Sequence, residues 1–146
     1  MNNRSKSTLF LIEQLIVIAI FALCAAACAR ILAAAYLSAR DARDLSNALR
    51  RAESCAESFK ATGGDYVQIS DIFGGTIGVI DGAQAVFVYY DNDWTVCAED
   101  GASYRLILKA GGPAGLDAHL REGGISVERL PGDELFAITV AAGSSI

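Results

Sequence analysis

The chain has 146 residues, a net charge of −5 and 53% hydrophobic content, which allows one membrane span plus one small domain and leaves no length for a second large core. Its twelve basic residues form no cluster outside the N-terminus and residues 40–51, which argues against a dedicated nucleic-acid surface, since phosphate binding needs concentrated Lys and Arg. One histidine, and no close cysteine pair outside the apolar N-terminal run, argue against a metal centre.

Residues 9–29, LFLIEQLIVIAIFALCAAACA, are apolar except for Glu13 and Gln14. About 20 such residues in a helix cross the hydrocarbon core of a bilayer. Arg4 and Lys6 precede the run, with no acid beside them, so the positive-inside rule keeps residues 1–8 cytoplasmic and sends the C-terminal side outward. Glu13 sits about one turn into the run, where a carboxylate carries a desolvation cost below the roughly 2.5–3.5 kcal/mol of the bilayer centre. An ionisable group at that depth calls for a partner.

The stretch Leu9-Phe10-Leu11-Ile12-Glu13-Gln14-Leu15-Ile16-Val17-Ile18-Ala19-Ile20, behind a short basic leader, resembles the N-terminal signature of type IV pilins and type II secretion pseudopilins. The resemblance implies a leader ending at Thr8, a first mature residue at Leu9 open to methylation, and a Glu13 at the fifth mature position that neutralises the N-terminal charge of a neighbouring subunit. Ser7 and Thr8 stand where that family's leader ends in glycine. The resemblance further implies a long helix on a small antiparallel sheet, an α+β fold, and as partners the membrane, other pilin-like subunits and a secretion, pilus or DNA-uptake machine.

No Pro or Gly interrupts the chain before Gly63, so the helix is expected to continue through an extracytoplasmic half, residues 30–62. Ala22, Ala25, Ala26, Ala29 and Ala33 make ladders of small residues that let helices approach closely in lipid. Farther on, Leu45, Leu49, Ala52, Ala56 and Phe59 recur at the helical period and predict the stripe that packs on a partner surface, with Cys55 at its border. Arg40, Arg43, Asp44, Arg50, Arg51, Glu53 and Glu57 form the opposite, solvated face, with Arg40 and Asp44 spaced to pair.

Gly63-Gly64-Asp65 ends the helix, and residues 63–146 are the small sheet domain. Residues 66–82 read as a short helix or turn followed by a Gly-punctuated loop. Strands are expected over 85–90, 94–97, 103–109, 125–130 and 134–141, β-branched and aromatic runs separated by Asp91-Asn92-Asp93, Glu99-Asp100-Gly101 and a type II turn at Pro131-Gly132. Residues 110–124 read as a loop, with or without one turn of helix. In the last strand Phe136, Ile138 and Val140 share one face. Outside the membrane run, Cys55 and Cys97 are either a disulfide or two free thiols.

A catalytic constellation is missing: His119 stands alone in a Gly-rich segment, Asp91 and Asp93 fit a hairpin turn better than a calcium loop, and the Gly pairs lack the context of a phosphate loop. The pattern therefore points to no enzyme, no cofactor and no small-molecule substrate. It points instead to a structural pilin-like subunit, with a membrane-anchored or secreted binding domain as the alternative.

Overall fold

A computed structural model describes residues 3–113 and 120–143, with side chains placed for 8–111 and 120–143. The chain divides into two compact units, Met1–Ala42 and Arg43–Ile146. The first is helical throughout its described residues, and every described side chain in it is exposed. It forms the beginning of helix α1, Asn3–Ala61.

The second unit is α+β. It contains the rest of α1, helix α2 (Tyr66–Phe73) and strands β1 (Thr76–Ile80), β2 (Ala83–Tyr90), β3 (Tyr104–Pro113), β4 (Leu120–Arg129) and β5 (Asp133–Gly143). The strands form one antiparallel meander in the order β1-β2-β3-β4-β5. Rows of directly paired residues cross it, as in Ile77–Val86–Leu108–Ile125–Ile138.

Helix α1 stops because Gly63 and Gly64 take positive φ, 62° and 79°, a region nearly free of cost for glycine alone. The Gly64 N–H then reaches the Phe59 carbonyl at 2.9 Å and the Gly63 N–H that of Lys60 at 3.3 Å, the paired bonds of a Schellman ending. Helix α2 starts where the Asp65 carboxylate accepts from the Val67 and Gln68 N–H groups at 2.9 and 3.3 Å, an N-cap that satisfies two orphaned donors. It ends at Gly74 in the left-handed conformation.

The core lies between α1 and one face of the sheet. Ala48, Ala52, Cys55, Ala56 and Phe59 meet Val86, Val88, Tyr90, Leu106, Leu108, Ile125, Val127, Val140 and Ala142, with Tyr66 and Ile69 of α2 closing one side. At the other side Trp94 stacks on Tyr104, ring centroids 4.2 Å apart.

Several sequence expectations need correction. The buried stripe of α1 includes Ala52, Ala56 and Phe59, but Leu45 and Leu49 are 47% and 37% exposed while Asp44, Ala48 and Cys55 are buried. The helix is thus rotated from the expected stripe: Ala48 and Cys55 join the core, and the buried Asp44 carboxylate pairs with the half-buried Arg129 of β4. Residues 66–82 hold α2 and a strand, joined to β2 by the Asp81-Gly82 turn, both residues at positive φ, as a two-residue type I′ hairpin requires. Residues 94–97 make only the single bridge Tyr90–Val96, since Trp94 turns the chain at φ 61°. Most of 110–124 is strand, β3 and β4 extending to Pro113 and from Leu120. The last turn runs Arg129–Gly132, closed by the Gly132 N–H on the Arg129 carbonyl at 2.9 Å, with a cis Leu130–Pro131 bond. Pro131 is therefore its third residue and not the second residue of a type II turn.

Candidate membrane and assembly site

In the first unit the chemistry concentrates at Glu13. With Leu9, Ile12, Ile16 and Val17 it lines a shallow depression on the helix surface. The helix here is long and apolar enough to cross a membrane, with a mean hydropathy of 2.7 over its most apolar window and none of that window buried against protein. Positions one helical turn either side of Glu13 hold Leu9, Phe10, Ile16 and Val17, so none of its neighbours at i±3 or i±4 is a cation. Thr8 and Leu9 are both exposed at the beginning of the described side chains.

At 3.6 residues per turn, Glu13, Val17, Ile20, Cys24 and Ile31 share one face of this helix, and Ala22, Ala26, Ala29 and Ala33 lie on the opposite one. Each face supplies what apolar-phase helix packing uses: small residues for close backbone approach on one, a polar group that needs a partner on the other. Cys24 and Cys28 are exposed free thiols.

The second unit holds its helix to its sheet by polar contacts as well as by the core. Arg129 Nη2 on β4 donates to Asp44 Oδ2 of α1 at 2.8 Å, with the Asp44 side chain 7% exposed, and Arg129 also approaches Asp133 at 3.7 Å. This overturns the expectation of a solvated Asp44. Arg51 Nη2 donates to the Trp94 carbonyl at 2.8 Å, and its guanidinium lies 5.1 Å above the Tyr90 ring centre, a cation–π arrangement. Those two contacts join residues 85 and 43 positions apart, so no local pattern in the sequence announces them.

Cys55 and Cys97 are free thiols, the first buried and the second half-buried. No disulfide joins them: Cys55 belongs to the core between helix and sheet, whereas the Cys97 N–H bonds the Tyr89 carbonyl on the loop after β2. Burial pushes the Cys55 thiol up to about 12 and the Tyr90 hydroxyl likewise to about 12, against a smaller lowering by Arg51. Both groups stay neutral, as the core of a small domain requires. No group of three or more His, Cys, Asp or Glu converges among the described residues, and His119 lies outside them.

No protein-family model, curated protein or solved structure matches the chain.

Proposed function

We propose that this chain is a non-catalytic, pilin-like structural subunit that resides in a membrane through residues 9–29 and joins like subunits by helix packing in an apolar phase. Glu13 carries this reading: it is the one acid in a 21-residue apolar stretch, and no basic residue of its own helix lies within a turn of it. A carboxylate held there is costly alone and tolerable once a cation from another chain pairs with it. The N-terminal amine of a neighbour processed at Leu9 is a cation of the right chemistry. In this arrangement the leader is cytoplasmic, the sheet unit is extracytoplasmic, and the alanine face receives a second helix.

The test is Glu13→Gln, which keeps shape and removes charge. Membrane fractionation and sedimentation of gently solubilised complexes should show unchanged insertion and lost higher-order assembly. Unchanged assembly would leave a plain membrane anchor and refute the subunit reading.

A further inference from the structure

Strand β5 is the outer strand of the sheet and, among the described residues, pairs only with β4. Natural edge strands are short or carry Lys, Pro or inward-pointing charge, which blocks unwanted pairing. β5 has 11 residues and is uncharged from Leu135 to Gly143. Only a register shift near Val127 and Glu128 interrupts its pairing with β4.

Beside this edge runs an open groove. Within the sheet unit α1 and β5 lie side by side, from the Asp44–Arg129–Asp133 contacts at one end to Gly63 beside the Gly143 carbonyl at the other. Ile138, Val140, Thr139 and Ala141 form one wall and Glu53, Ala56, Glu57 and Lys60 the other, enclosing about 570 Å³. Ile138 is 39% exposed although it shares the row of the buried Ile125, so apolar surface that the core does not use faces this space.

We propose that the α1–β5 groove takes an extended peptide segment of a partner protein as a sixth strand, one in which Lys or Arg alternates with small β-branched residues. The open edge supplies backbone hydrogen bonds, as in other cases of strand addition. Side chains of an added strand alternate between the two faces of the sheet. On the helix side, long basic side chains lay their methylene stems over Ile138 and extend their heads to Glu53 and Glu57. On the other side Thr139, Ala137 and Ala141 leave space for Val or Thr. The charged residues lining the groove are Glu53 and Glu57 against Lys60, with Glu134 exposed on β5, a surplus of acid that selects a basic segment over the Asp133–Glu134 end of a second copy's β5. The inference is independent of filament assembly: it holds for a subunit or for a plain anchor.

The experiment is amide hydrogen exchange on the full chain in zwitterionic nanodiscs, with a capped nine-residue peptide of alternating Lys and Val as probe. A Glu–Val peptide of the same pattern serves as control. The Lys–Val peptide should slow exchange across 135–141 at least tenfold at saturation, and Glu53→Gln with Glu57→Gln, both exposed positions, should weaken its apparent affinity at least fivefold. Three results overturn the proposal: no peptide-dependent protection, equal protection by both peptides, or protection of β5 that grows with protein concentration in the absence of peptide, which would give the edge to a second copy.

Discussion

Truncating Phe59 and Leu49 separately decides whether the helix packs on the sheet by its alanine stripe or by its leucines. Phe59 is fully buried, and a Cβ at Gly64 or Gly123 would already lie 3.1 Å from its ring. Its ring also meets Tyr66 edge-on, centroids 6.0 Å apart. A cavity in so close a setting does not collapse, and Phe59→Ala should cost about 3–5 kcal/mol. Leu49 is 37% exposed, so Leu49→Ala removes only part of the roughly 1.5–3 kcal/mol that full burial provides and should cost under about 1 kcal/mol. For a unit of this size 1 kcal/mol moves the midpoint by roughly 4–8 °C. Thermal unfolding followed by Trp94 fluorescence in the detergent-solubilised full chain should therefore show a fall of more than about 12 °C for Phe59→Ala and a few degrees for Leu49→Ala. Comparable losses for both variants would refute the rotation of α1 described above.

Asp44→Ala should cost about 1–3 kcal/mol by leaving the half-buried Arg129 guanidinium without its α1 carboxylate, measured by urea unfolding; a loss below about 0.5 kcal/mol would remove that contact from the account. The raised Cys55 thiol acts on stability at high pH: its pKa is 9.0 ordinarily and about 12 folded, so above pH 9 the unfolded chain loses a proton that the folded chain keeps. Stability from this group is thus complete below pH 9 and falls by about 1.4 kcal/mol per pH unit as pH rises toward 12. Cys55→Ala should flatten the profile between pH 9 and 10, before Tyr90 adds its own fall, and an unchanged slope would contradict the burial. Gly75→Ala should destabilise by about 1–3 kcal/mol, because its Cβ would stand 2.7 Å from the Phe87 carbonyl oxygen; a neutral outcome in the same unfolding assay would show that β1 is not held there.

The α+β layout was legible from two simple signals, the absence of Gly and Pro ahead of Gly63 and the short β-branched runs after Ala83. Which side of α1 faces the sheet was not. Hydrophobicity favours Leu45 and Leu49, whereas the face that is buried carries Ala48 and Ala52, and the burial of Asp44 depends on Arg129, 85 positions away. For the first strand two signals compete: Asp81-Gly82 between TIGVI and AQAVFVYY is a strong hairpin signal, whereas glycines 74, 75 and 78 read as loop. Gly111, Gly123 and Gly124 similarly hid the extension of β3 and β4. Gly111 is there for a steric reason, since a Cβ on it would fall 2.8 Å from that of Glu122. Of the candidate site, Glu13 and its apolar setting were legible in full because both lie within one helical segment. Arg51 over Tyr90 was not, because only the folded sheet brings them together.

The most direct test of the account is the first residue of the mature protein, read by N-terminal sequencing and intact mass on material from native membranes. The account predicts a start at Leu9, which keeps Glu13 in the membrane and supplies the amine that pairs with it; an intact Met1 would remove that amine and leave a membrane-resident relative or plain anchor. A first residue beyond Ala29 would mean that the segment is discarded, and would contradict a subunit built on that helix.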